Sequence, residues 1–482
     1  MKEKIDHKKL SLFTLIMVTS AFVTSIRNLP TIAETGLKMI FFGVVAAICY
    51  FIPAALVSAE LATAWPKQGG IYVWVKQAFG RKWGFIATWL QWVYMTISMI
   101  AMLYFISGSL AFVFNPNLSN NRLFLVITSL IVLWFFTFLN LRGLKVSSTV
   151  STIGFLSGVL FPGLLIIALG IAHLCMGGKL ALDVSLTREN LLPNFESIRN
   201  LVLLVGFMRA FAGIEASSTH ANKVNNPSRN YPIAIFSVVI IGLGINILGS
   251  LSVASVIPRA DINLEAGVMD AYTKFFAGFK ILWFIPVMGF LVAVGQMGGA
   301  STWLLGPVKG LLSTAQSGDL PPFFQKLNSK GMPKNLLILQ ACWISVVSTI
   351  LLAFLNINNA FWFSVALSMM IYVTMYFLML LSGLRLRYKE PDAPRRYRIP
   401  FKNVGMWVVS FLGMATMVFS FIIALFPPTQ LPSKHDTLYT TLLVIGIIVI
   451  YAVPFIIQAF RHPNWVPVKV EEDEESKGGP NG

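Results

Sequence analysis

Two arginines, Arg27 and Arg209, stand inside stretches otherwise apolar enough to cross a bilayer. A guanidinium stays charged at any physiological pH and is costly in lipid, so each should face a wet cavity or an anion. The planar fork of an arginine matches the two oxygens of a carboxylate, which makes carboxylate recognition the chemistry to expect. Arg209 reads either as a ligand for an acidic substrate side chain or as a structural cation paired with Glu215 or Glu60. Arg27 reads either as lining a path to the outside or as the partner of Glu34, seven residues on. Glu215 is expected to hold a helix break together by accepting hydrogen bonds from exposed amides, with a proton relay as the alternative. Glu60 is expected to reach water or a basic neighbour. The lone His220 reads as a packed residue near a span end, with pH sensing the alternative.

These residues need helices that are interrupted. Arg27 lies in Ile26-Arg27-Asn28-Leu29-Pro30, and proline lacks an amide donor and clashes with the preceding turn, so the first span should loosen just ahead of Pro30. Arg209 lies between Gly206 and Gly213, with Glu215 following, a poor composition for an unbroken lipid-facing helix. Hydrophobic residues make up 56% of the chain and charged residues 12%. The apolar runs repeatedly reach the roughly 20 residues a transmembrane helix needs. The reading is an all-α integral membrane protein with about twelve spans, near 10–36, 38–64, 83–114, 122–140, 147–174, 197–221, 231–257, 280–312, 335–355, 359–385, 404–426 and 437–460. Breaks in the first and sixth spans correspond if two five-span halves are inverted repeats, which places a polar site at mid-membrane.

Most of the 37 basic residues fall on one side of that span list, which by the positive-inside rule puts both termini in the cytoplasm. The net charge of +17 is thereby a topological signal, and nucleic acid is not an expected partner. The start shows no cleavable signal pattern. Residues 1–385 read as the transport core, with repeats at about 10–174 and 197–385. A basic, proline-containing cytoplasmic linker follows at 386–403, then two additional helices at 404–460 and a short charged tail at 461–482. Cys49, Cys175 and Cys342 show no metal-ligand spacing and read as core packing. Trp65, Trp83 and Trp465 read as interfacial anchors. No phosphate loop, His-Glu-x-x-His run or nucleophile turn appears, so an enzyme is not expected.

Several runs carry a family likeness. Pro66-Lys67-Gln68-Gly69-Gly70-Ile71-Tyr72, the Phe211, Gly213, Glu215 element with the run to His220, Asn226-Pro227-Ser228-Arg229-Asn230-Tyr231-Pro232, Ile262 to Met269, and Gly306-Pro307 resemble the amino acid-polyamine-organocation superfamily. They look closest to its bacterial glutamate/gamma-aminobutyrate antiporter branch. The resemblance implies a LeuT-like five-plus-five inverted repeat with discontinuous helices 1 and 6, and exchange by alternating access. It also implies that backbone amides near Val23, Thr24, Ser25 and Ile26 hold the substrate carboxylate. Carbonyls near Ser20, Ala21, Met208 and Phe211 would meet its amino group, with Phe211 closing over the ligand. The chain departs from the pattern at Thr24 and Ser25, where superfamily members commonly carry glycines, and at Gly299, where that branch tends to carry a glutamate.

The function expected is an antiporter of the bacterial cytoplasmic membrane, exchanging glutamate or a related acidic or zwitterionic amino acid for gamma-aminobutyrate or a similar amino acid. Its partners would be amino acid substrates and the lipid bilayer, homo-oligomerisation staying open, with no metal or organic cofactor implied. A proton-coupled symporter on the same fold and a non-transporting membrane amino acid sensor are the rival readings.

Overall fold

A computed structural model describes residues 11–66, 69–143, 154–217, 224–354, 357–428 and 436–466. Apart from an isolated bridge at Val224, regular structure among them is helical. The first span is not one helix: α1 covers Leu12–Val23 and α2 Leu29–Ala33, with a 3-10 turn over Ile26–Asn28 between them. The long helices that follow are α3 (Lys38–Ala64), α5 (Arg81–Phe114), α6 (Arg122–Leu141) and α7 (Leu156–Cys175), with the shorter α4 (Ile71–Phe79) ahead of α5. The sixth predicted span is likewise in pieces, among them α8 (Leu203–Ala210) and α9 (Ile214–Ser217). Then come α10 (Pro227–Val256), α11 (Gly267–Gly278), α12 (Ile285–Gln316), α13 (Lys334–Phe354), α14 (Ile357–Lys389), α15 (Lys402–Ile423) and α16 (Asp436–Ala459).

Among the described residues nine helices are long and apolar enough to cross a membrane: α3, α5, α6, α7, α10, α12, α14, α15 and α16. A bilayer supplies no water to satisfy backbone groups, so a continuous helix that bonds its own amides is the form these runs must take. The outer faces are apolar as well. On α16, Ile445, Ile448, Val449, Phe455 and Ile456 are all more than half exposed, which suits contact with lipid. The core lies around α5 and α14, the two most buried of these helices. Tyr94 on α5 stacks on Tyr372 on α14 with ring centroids 4.0 Å apart, and Tyr50 of α3 stacks on Tyr376.

Two expectations need correction. Cys175 and Cys342 are exposed and Cys49 is only half-buried, so none of the three is a fully buried core residue. An apolar setting in sequence does not separate a core face from a lipid face, because both are built from the same side chains. Arg27 and Glu34 do not pair, and a Glu34 carboxylate oxygen is buried without a hydrogen-bond partner. The interruption between α1 and α2 removes the regular helical face on which that pairing relied.

Candidate functional site

The first break lies at Thr24 and Ser25. The Thr24 amide still donates to the Ser20 carbonyl at 2.7 Å, after which Ser25 turns extended, with φ −145° and ψ 130°. The Ser25 hydroxyl accepts from the Arg27 amide at 3.3 Å and donates to the Gln296 side-chain oxygen of α12 at 3.1 Å. Serine is a strong capping residue because its oxygen replaces a missing intrahelical acceptor. Pro30 occupies the first turn of α2, where an amide donor would have no partner anyway, so the interruption sits upstream of it at the residue that can cap.

The second break spans Phe211 to Gly213. Gly213 has φ +112°, a conformation that side chains with a Cβ rarely adopt, which explains a glycine at this turn. Its amide donates to the Tyr372 hydroxyl at 2.7 Å, and that hydroxyl donates to Glu215 at 2.6 Å. Tyr376 donates to the same carboxylate oxygen, and Gln91 donates to the other at 3.2 Å. Glu215 was expected to accept directly from exposed amides. Its own backbone amide is one such donor, while the Gly213 amide reaches it through the Tyr372 hydroxyl of α14.

Between the breaks lies a cavity of about 60 Å³, several times the roughly 10–15 Å³ that one water needs. Its walls come from the α1–α2 break, α5, the start of α7, the end of α8 and the middle of α12. Val23, Thr24, Ser25, Arg27 and Arg209 line it, together with Asn28, Tyr94, Gln296 and Trp303. On α12, Gly295 and Gly299 line it without side chains, and a Cβ built at Gly299 would meet nothing within 4 Å.

A family model described as amino acid permease matches residues 10–450. A glutamate/gamma-aminobutyrate antiporter of Lactococcus lactis subsp. lactis is 32% identical over 459 residues, spanning 94% of this chain and 91% of that protein. The chain belongs to the amino acid permease family. An uncharacterised transporter of Legionella pneumophila is 38% identical over 454 residues, covering 94% of this chain and 97% of its own. A probable agmatine/putrescine antiporter of Lactococcus lactis is 23% identical over 430 residues, 89% of each chain. The likeness to the amino acid-polyamine-organocation superfamily therefore extends over nearly the whole permease, a multi-pass membrane transporter by family.

Other residues named from the permease's sequence lie away from the cavity. Met208 is fully buried and its sulfur accepts from the Ser420 hydroxyl at 2.8 Å. Ile26 packs into an apolar cluster with Leu29 and Phe105. Phe211 does not close over the cavity; it is buried against Phe51, ring centroids 5.3 Å apart, and against the bare backbone of Gly242. Ser20 is buried with its hydroxyl unpartnered, and Ala21 belongs to α1, two positions before that helix's last residue. His220 lies outside the described residues. Tyr94 and Gln296 were not anticipated. Gln296, a lone amide among Gly295, Gly298 and Gly299 in an apolar run, was the readable signal.

The charges of the permease are distributed unevenly. Glu60 does not meet Arg209 but is held by Arg387 through two contacts of 2.6 Å and by Arg395 at 3.2 Å. Arg209 sits in the last turn of α8, where the carbonyl end of a helix favours a cation, with its guanidinium 5.3 Å from the centre of the Phe361 ring. Among the described residues neither Arg27 nor Arg209 has a carboxylate within ion-pair distance, and Nε of each is buried without a hydrogen-bond partner.

Proposed function

We propose that this permease is a secondary active exchanger of the bacterial cytoplasmic membrane. It carries glutamate or a related acidic or zwitterionic amino acid against gamma-aminobutyrate or a similar amino acid. The observation that carries the reading is the cavity between the two interrupted segments, with Arg209 and the uncoiled Thr24–Ser25 backbone on its wall. Backbone amides released from α1 and carbonyls at the end of α8 suit the two charged groups of an amino acid, as half-helix ends do in transporters. The similarity to the glutamate/gamma-aminobutyrate antiporter supports the choice of cargo.

In this reading the two breaks belong to a five-plus-five inverted repeat of twelve spans, with 404–460 as two additional helices, both termini cytoplasmic, and alternating access driven by the two cargo gradients. No carboxylate lines the cavity among the described residues, and Gly299 leaves its wall bare, which favours exchange over proton-coupled symport.

Counterflow in reconstituted vesicles tests the proposal. Glutamate uptake should require an amino acid inside, and uptake driven by an inward proton gradient alone would sink it. Arg209→Ala should lower transport of a dicarboxylic amino acid roughly tenfold or more relative to a neutral one, since a charge-assisted hydrogen bond contributes about 1.5–3 kcal/mol. Equal losses for the two cargoes would make Arg209 a structural cation.

A further inference from the structure

Arg27 and Arg209 come from different segments, one just after the first break and one just before the second, yet both line the same cavity. They lie within electrostatic range of each other, so bringing them together costs repulsion. Nε and one terminal nitrogen of Arg27, and Nε of Arg209, are buried without a hydrogen-bond partner. Unpaired buried donors on like charges are expensive, and such an arrangement persists where a further group completes it.

The surrounding groups do not complete it. Glu265, in the segment leading into α11, is within electrostatic range of Arg209, but it makes no ion pair with it and does not line the cavity. Glu215 is engaged by Tyr372, Tyr376 and Gln91. Tyr94 lines the cavity and offers only a hydroxyl. Among the described residues no carboxylate lines the chamber that the two guanidinium groups share, so an anionic group of the substrate, beyond the carboxylate and ammonium that every amino acid carries, would supply the missing partner.

The arrangement is also held in place. Ser25 accepts from the Arg27 amide while donating to Gln296, which ties the Arg27 turn to α12 across the cavity. Phe361 lies under the Arg209 guanidinium. Neutral groups thus hold the Arg27 backbone and the Arg209 guanidinium, and neither supplies a counter-charge.

We propose that Arg27 and Arg209 form one clamp that selects the ionised side-chain carboxylate of the substrate, making Arg27 a specificity-determining residue. This rests on the reading of the cavity as the amino acid site. It does not require exchange, so its test is equilibrium binding to the detergent-solubilised full chain near pH 7, comparing L-glutamate with L-glutamine, the neutral side chain of the same shape. Wild type should favour glutamate at least tenfold, and equal affinities, or no glutamate binding, overturn the clamp. Arg27→Gln and Arg209→Gln should each reduce that ratio while glutamine binding persists. In the double variant the loss should fall short of the product of the two single losses, because both act on one carboxylate. A ratio unchanged in Arg27→Gln assigns the clamp to Arg209 alone and overturns the proposal. Should Arg27→Gln fail to fold, Arg27→Lys, which keeps the charge and loses the fork, should still lower the ratio, and an unchanged ratio there overturns the clamp geometry. Exchange measurements separate the two readings: glutamate-selective binding without counterflow removes the exchanger and leaves the clamp.

Discussion

Glu60 shows how much a single buried carboxylate can organise. It accepts from Arg387 at both oxygens, from Arg395, and from the Ile399 amide at 2.8 Å, while Arg395 also lies over the Trp65 ring. These contacts pin the proline-containing segment after α14, which forms neither helix nor strand, onto α3. Removing one partner of a buried pair strands the other charge, at a cost of about 3–5 kcal/mol. Glu60→Gln should therefore lower the thermal unfolding temperature of the detergent-solubilised protein. An unchanged transition would mean that Arg387 and Arg395 find other acceptors. A basic neighbour for Glu60 was readable from its place near a span end. Its identity was not, because Arg387 is more than three hundred positions away and only the packing of α14 beside α3 brings the two together.

At the scale of elements, α7 and α12 cross backbone to backbone. A Cβ at Gly158 would lie 2.2 Å from the Gly295 Cα, and one at Gly295 would lie 2.3 Å from the Gly158 Cα. Small residues at such a crossing let two helices in a membrane approach closely. Gly158→Ala should force the pair apart, lowering both stability and transport. Gly299→Ala, four residues along α12 from Gly295, enters open space and should leave the unfolding temperature near wild type while narrowing the cavity. The two variants can be compared in one thermal-shift experiment. Equal destabilisation by both would mean that the crossing tolerates no change along its length and would remove the distinction drawn here. Helix interruption was legible from Pro30 and from Gly206 and Gly213. The exact gap was not, since the Ser25 hydroxyl that caps the turn is also bonded to Gln296, which lies 271 positions along the chain.

Across the whole molecule, distant segments meet at the end of α12. Asp319 pairs with Arg81 of α5 at 2.7 Å, the Arg461 Nε donates to the Gly318 carbonyl at 2.9 Å, and Gln325 donates to the Trp465 carbonyl at 2.6 Å. The segment after α16 is thus strapped across the loop that follows α12. Asp319→Asn should loosen the strap and speed amide hydrogen exchange at Trp465 and Val466, and unchanged exchange there would show that the Arg461 and Gln325 contacts suffice alone. Composition and apolar run length were enough to establish a helical membrane protein, because in lipid a chain has few other ways to satisfy its backbone. Unneutralisable arginines within those runs likewise signalled a polar chamber, since lipid does not tolerate them. Which residues share that chamber depended on tertiary packing. Arg27 and Arg209 lie on it while Phe211 and Met208 turn into the core, because the face that each segment turns to the chamber is set by contacts far along the chain: Ser25 with Gln296, Met208 with Ser420, Phe211 with Gly242 and Gly213 with Tyr372.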